Sequence, residues 1–315
     1  MEELDIIIPA YNAKNTLRRL GYSIATQKNI NNFKVYIVND CSDYDYHEII
    51  EFFKNFFWIK ELKLEKNMGP GYARQYGIDH SYGKYITFID ADDFLYSPNS
   101  LYNLCKPLKY NYDLIISNFI YEHSNQNIIM KNDCTWLHGK VFKREFLQKN
   151  SIRFNNTRSN EDNGFNHLVR FHYPKTLFLD KITYVYYANP ESTTRKNNAI
   201  YEFYGLEYYA YNLQWAINSA IEKNINSYDI VKTSLRVLIS MYFYYLDFYN
   251  KYDVSKICFW SKDLKKIFDK YYKKYISDSM IKKEIESKNN EYIEKNINID
   301  FKISFYEFLN LVREA

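Results

Sequence analysis

Glycine and cysteine are scarce in this chain of 315 residues, with 8 glycines and 4 cysteines against 34 tyrosines and 22 phenylalanines. Cys41, Cys105, Cys134 and Cys258 lie far apart and form no C-x-x-C pair, which predicts reduced thiols in a cytosolic protein. No apolar run approaches the roughly 20 residues that a membrane span needs. Even Leu235 to Tyr249 is broken by Arg236 and Asp247. An apolar segment begins almost at Met1, leaving no room for a cleavable signal. The expectation is therefore a cytoplasmic protein, soluble or at most peripheral at the inner face of a membrane. Charge of one sign is lacking too. The formal net charge is only +4, and residues 201–315 carry acidic and basic side chains in near balance, so a dedicated nucleic-acid groove is not favoured. His47, His80, His123, His167 and His172 show no ligand-like spacing, and no Ser-His-Asp or Cys-His arrangement stands out. The tyrosine excess fits an AT-rich coding bias as well as it fits any site.

What is present gathers at the ends of apolar runs. Phe88-Ile89-Asp90-Ala91-Asp92-Asp93 is an apolar strand running into three close carboxylates. Carboxylates at i and i+2 after a buried strand can hold a divalent cation and, through it, a nucleoside diphosphate. Capping of a following turn accounts for one such acid but poorly for three. The chain thus reads as a nucleotide-sugar enzyme. Leu4 to Ile8, closed by Pro9, Tyr11 and Asn12, has the pattern of a buried parallel strand that stops at a loop. Phe33 to Asp40 repeats that pattern about one helix later. Between them, Leu17, Leu20 and Ile24 recur at helical spacing, so the opening is strand, helix, strand. In an open α/β sheet, ligands bind outside the carboxyl ends of the strands, and Tyr11, Asp40 and Asp90 all lie at such ends.

Four segments carry a resemblance: Ile7-Ile8-Pro9-Ala10-Tyr11-Asn12, Val38-Asn39-Asp40-Cys41-Ser42-Asp43, Asn67-Met68-Gly69-Pro70-Gly71-Tyr72-Ala73-Arg74-Gln75 and Ile89-Asp90-Ala91-Asp92-Asp93. In this order and spacing they resemble the family 2 glycosyltransferases of the GT-A fold. A sparser likeness continues through His138-Gly139-Lys140-Val141-Phe142-Lys143-Arg144, Asn160-Glu161-Asp162 and Tyr186 to Arg195, and none is found beyond residue 200. The resemblance implies a Rossmann-like α/β domain that binds a UDP-sugar with Mn2+ or Mg2+ and inverts the anomeric carbon in one displacement. It implies a base pocket near Pro9, Tyr11, Asp40 and Arg74, with Asp40 accepting from a base N–H and Tyr11 offering a stacking face. Asp92 is expected on the metal, and Asp90 toward the ribose or the metal's surroundings. Asp93 carries no firm role. His138 and Lys140 are expected to line the diphosphate or acceptor side, as are Ser192, Thr193 and Arg195 on a closing loop. Asp162 matches the position of the general base, which takes the acceptor hydroxyl's proton as attack proceeds, and Glu161 orients it or meets the acceptor. From local sequence alone, Asn-Glu-Asp also reads as a helix cap. The Gly69-Pro70-Gly71 stretch is not a P-loop and reads as a bend delivering Arg74. Cys41 departs from the family, which usually has glycine there.

Residues 1–200 are expected to form the catalytic domain and 201–315 a helical C-terminal extension. In the extension, Val231, Leu235, Leu238, Tyr242, Tyr245 and Tyr249 recur at helical spacing and must pack on something. Lys262 to Ile276 sets Leu264, Ile267, Phe268, Tyr271 and Tyr275 on one face, with Lys262, Lys265, Lys266, Lys273 and Lys274 mostly on the other. Packing, homo-oligomerisation, and contact with the acceptor or a membrane surface are all open for these helices. The resemblance points to a glycan or lipid-linked acceptor in bacterial surface polysaccharide synthesis. The competing readings are a macromolecular acceptor, either a modified DNA base or a protein, and a binding module that keeps the fold without turnover.

Overall fold

The computed structural model describes residues 3–123, 126–190, 198–294 and 296–315. They fall into two compact units, Met1–Lys196 and Asn197–Ala315. The first unit runs β1 (Leu4–Ala10), α1 (Lys14–Ala25), β2 (Phe33–Asn39), α2 (His47–Phe53), β3 (Ile59–Lys63), α3 (Pro70–Asp79), β4 (Tyr85–Phe88) and β5 (Phe94–Leu95). It continues with α4 (Ser100–Cys105), a 3-10 helix (Lys106–Tyr110), β6 (Leu114–His123), β7 (Gln126–Met130), β8 (Lys140–Lys143), α5 (Arg144–Lys149), α6 (Glu161–Phe171) and β9 (Thr176–Tyr186).

The strands form one mixed sheet ordered β3-β2-β1-β4-β8-β6-β9-β5, with β7 paired to β6. β3, β2, β1 and β4 are mutually parallel, while β8 runs antiparallel between β4 and β6. The apolar residues of β1 are buried on alternating and consecutive positions alike, because helices cover both faces of the sheet. α1 turns Leu17, Leu20 and Ile24 onto one face. On the other face, Phe88 of β4 and Phe142 of β8 meet Phe154 and Phe165, the last two stacked 4.0 Å apart. That aromatic cluster seats α6, through Phe165, on β4 and β8. β3, β7 and β9 carry no strong period-two signal in the sequence and emerge only as strands paired to β2 and β6.

The second unit is helical throughout: α7 (Asn198–Glu222), α8 (Ser227–Phe248), α9 (Ser255–Tyr275), α10 (Asp278–Glu294) and α11 (Phe305–Glu314). Val231, Leu235, Leu238, Tyr242 and Tyr245 are buried as their spacing predicts, whereas Tyr249 is exposed. α9 packs against α7, α8 and α11. One residue corrects the two-faced reading of this helix. Lys265 is buried and pairs with Asp269 one turn on, because its stem lies beside Leu264 and Phe268 on the packed side. Reciprocal capping between Ser304 and Glu307 opens α11. No helix among the described residues is long and apolar enough to cross a membrane.

Candidate active site

The carboxyl end of β4 delivers three acids into different surroundings. A tight turn, closed by the Asp93 N–H donating to the Asp90 carbonyl at 3.0 Å, sends Asp93 inward. There Asp93 is fully buried; its oxygens accept from the Tyr184 hydroxyl at 2.5 Å and the Tyr187 N–H at 2.9 Å. Burial, and then the charges of Asp92 and Asp90, push its carboxyl well above the usual range. Asp92 and Asp90 remain partly exposed. Asp92 accepts from the Asn189 amide at 3.0 Å, and burial again raises its carboxyl. Burial also opposes ionisation of Asp90, but the guanidinium of Arg74, 2.6 Å away, outweighs it and holds this acid below the usual range.

Arg74 is the centre of the arrangement. One of its terminal nitrogens binds Asp90 and the other binds Glu161 at 2.5 Å, so a single buried cation ties the end of β4 to the start of α6. Burial alone would lower its pKa, yet Asp90 and Glu161 carry it upward. The helix α3 comes close enough because residue 71 is glycine. A Cβ there would stand 2.5 Å from the Asn155 carbonyl oxygen and 3.0 Å from the Glu161 side chain. Glu161 and Asp162 occupy the first turn of α6, where the helix dipole favours negative charge. Asn160 precedes them with a left-handed φ of 58° and makes no side-chain cap, so the segment is not the simple capping motif that local sequence allows. Burial and the neighbouring Glu161 push the Asp162 carboxyl up to about 7.

His138 and Lys140 flank this network from below. His138 stacks on Tyr184 and Tyr186 at 4.7 and 4.9 Å, and burial lowers its pKa to about 4, so the ring is neutral at neutral pH. Lys140 is 1% exposed and donates to the Trp136 carbonyl, with burial lowering its pKa to about 8. Its ammonium is thus turned inward onto the chain's own carbonyl. At the ends of β1 and β2, Asp40 accepts from the Met68 and Gly69 N–H groups at 2.7 and 2.8 Å, tying the strand to the loop that opens α3. Asn12 and Asp43 bond reciprocally across the gap, and Tyr11 beside them is 52% exposed, leaving its ring available for stacking. Cys41 adopts φ 60°, the left-handed conformation that glycine takes at no cost. A residue with a Cβ holds this conformation at a strain of about 1–2 kcal/mol. Arg74 stands with Asp90 and Glu161. Pro9 is the penultimate residue of β1, in register with Val38 of β2. Ser192, Thr193 and Arg195 lie outside the described residues.

A family model, glycosyl transferase family 2, matches residues 5–162, which takes in every one of these acids. The chain belongs to glycosyl transferase family 2. It is 26% identical over 227 residues to the glycosyltransferase GlyA of Streptococcus pneumoniae, an alignment covering 62% of this chain and 32% of GlyA. Among solved structures, TarS 1–349 of Staphylococcus aureus in complex with UDP-GlcNAc superposes with a TM-score of 0.70 at 16% identity, covering 96% of this chain and 94% of that one. The mannosyltransferase PcManGT of Pyrobaculum calidifontis, in complex with GDP-Man and Mn2+, gives 0.56 at 12% identity over 99% of this chain and 84% of that one. These likenesses establish the GT-A fold with a C-terminal helical extension. The chain spans between 16% and 37% of the length of curated relatives it matches.

The residues at the acidic turn also suit a hard divalent cation. Asp90, Asp93 and His138 each offer a ligand atom within 4.8 Å of the others, and this group differs from the Asp92 and Asp90 pair that sequence pointed to. The difference arises because the turn folds Asp93 back toward His138. Since both oxygens of Asp93 are already hydrogen-bonded in the interior, a cation arriving from solvent meets Asp90 and Asp92 first. Carboxylate oxygens are the ligands that Mg2+ and Mn2+ take. The mutual repulsion of the three acids makes a positive charge among them favourable. Sequence reasoning missed Tyr184, Tyr187, Asn189 and Arg19, which hold the turn. Each is remote in sequence, and tyrosines are too common here to signal anything.

Proposed function

We propose that this family 2 glycosyltransferase moves a sugar from a UDP-sugar to a hydroxyl of a glycan or lipid-linked acceptor, with inversion, in the synthesis of a bacterial surface polysaccharide. The observation that carries this reading is the linked set Asp90, Arg74, Glu161 and Asp162, which puts an acid with a pKa of about 7 within one charge network of the acidic turn. A general base works best when its pKa lies near the working pH. The acceptor oxygen attacks the anomeric carbon, its proton passes to the Asp162 carboxylate, and the carbon–oxygen bond to the diphosphate breaks with both electrons leaving on UDP. Glu161, held by Arg74, raises Asp162 through its charge beside it on the same helix turn. Asp90 and Asp92 would hold Mn2+ or Mg2+, which when bound neutralises the diphosphate. Pro9, Tyr11 and Asp40 would hold the base, with His138 and Arg195 toward the diphosphate. The UDP-GlcNAc and Mn2+ named with the structural neighbours support the donor and metal classes. A cytoplasmic location fits a nucleotide-sugar donor.

The test is a panel of nucleotide sugars with Mn2+, scored for thermal stabilisation and slow hydrolysis, followed by Asp162→Asn. This variant should bind the donor with unchanged affinity and lose about 10²–10⁴-fold in transfer, the usual worth of a general base. Transfer at the original rate would place the base elsewhere.

A further inference from the structure

We propose that Arg19, on α1, is the positioning residue that fixes the acidic turn for its cation and couples it to the segment following β9. The proposal rests on the metal role given to the turn above. Arg19 donates to the backbone carbonyl of Asp92, 73 residues away in sequence. Its guanidinium lies 3.6 Å from the centre of the Tyr187 ring and 4.9 Å from that of Phe94. The Nε atom is buried with no hydrogen-bond partner among the described residues. A buried unpaired donor is costly, so the planar group is retained there by its stack and its single bond to the turn.

What Arg19 grips on either side makes the placement informative. Tyr187, whose ring lies nearest the guanidinium, gives its own N–H to Asp93, and Asn189 two residues on gives its amide to Asp92. Phe94, whose ring is tilted 54° from that of Tyr187, follows Asp93 directly. Arg19 therefore clamps the acidic turn at the Asp92 carbonyl and at its exit, and joins it to the segment after β9 that bonds Asp93 and Asp92. Groups that orient metal ligands in this way, without touching the metal, usually change its affinity 10–100-fold when removed. Lysine can replace the charge and the donor but not the flat stacking surface.

The experiment titrates Mn2+ into wild type, Arg19→Ala and Arg19→Lys in the presence of UDP, following free Mn2+ by its electron paramagnetic resonance signal, with UDP affinity measured separately in metal-free buffer. The expected result is Mn2+ affinity weakened 10–100-fold in Arg19→Ala and to a lesser degree in Arg19→Lys, with metal-free UDP affinity unchanged in both. Equal Mn2+ affinity in wild type and Arg19→Ala overturns the proposal, as does an equal loss of UDP affinity without metal, which marks general disruption. Should Arg19→Ala fail to fold, Tyr187→Leu removes the stacking plate and is expected to weaken Mn2+ similarly; unchanged affinity there counts against the clamp. Wild-type protein that binds UDP and takes up no Mn2+ defeats the metal role of the turn itself, a failure visible before any variant is made.

Discussion

Two buried arginine–carboxylate centres sit near opposite ends of the same parallel strands. Near the start of β1, Asp5 is fully buried and meets Arg144 at 2.9 Å. Arg144 spends its other donors on the Gly83 and Ile78 carbonyls and the Ser81 hydroxyl. One acid faces one base, and the remaining bonds go to the chain. Beyond the end of β4, one arginine serves Asp90 and Glu161 while Asp92, Asp93 and Asp162 crowd around it. The first centre pairs one acid with one base, with Asp5 Oδ1 left without a partner among the described residues; the second holds more acid than its base can neutralise. Excess negative charge stabilises nothing by itself, and it is retained where a ligand brings the missing positive charge or where an acid must take up a proton.

The contrast breaks most visibly through Arg144→Ala, which strands the Asp5 carboxylate without its partner. A loss of about 3–5 kcal/mol is expected in chemical denaturation, with donor affinity of the folded fraction unchanged. A stability loss below about 1 kcal/mol would show that this centre is not the structural one. A smaller effect comes from Gly71→Ala, whose Cβ must displace either the Asn155 backbone or the Glu161 side chain. Overpacking of this kind costs about 1–3 kcal/mol. Here it should also disturb the Arg74–Glu161 pair, so transfer is expected to fall further than stability alone explains. The smallest effect is the pH dependence of Asp162. Its folded pKa of about 7 lies above the unfolded carboxylate value, so the folded state binds the extra proton between the two. Stability from this group is therefore greatest at low pH and falls as pH rises toward 7, while the transfer rate rises over the same window. Each unit below 7 should lower the rate about tenfold. Asp162→Asn should remove both trends, leaving a protein at pH 8 no less stable than wild type by thermal melting. A rate flat between pH 5.5 and 8 would argue that a different acid accepts the proton.

Much of this was legible in the residues. The runs at Leu4–Ala10, Phe33–Asn39 and Tyr85–Phe88 announce parallel strands because both faces of each are covered. The acids at their ends announce where a ligand would bind. The start of α6 at Glu161 was legible too, since acids gather where the helix dipole favours them. Asp5 was hidden, because a single carboxylate inside an apolar run looks like an interruption until Arg144 arrives from 139 residues away. Arg19 was hidden for the same reason, as was the burial of Lys140 and Lys265, which local patterning treats as exposed.

The sequence by itself determined the opening order of strand, helix and strand and the placing of Asp40, Asp90 and Asp162 at element ends, since strand runs, helix periods and turn residues act over a few neighbours. Only the tertiary structure decided which acids share Arg74, that Asp93 turns inward to Tyr184, and that Asp162 titrates near neutrality. Ionisation depends on the water removed and the charges brought near through space, and neither is written in the residues on either side.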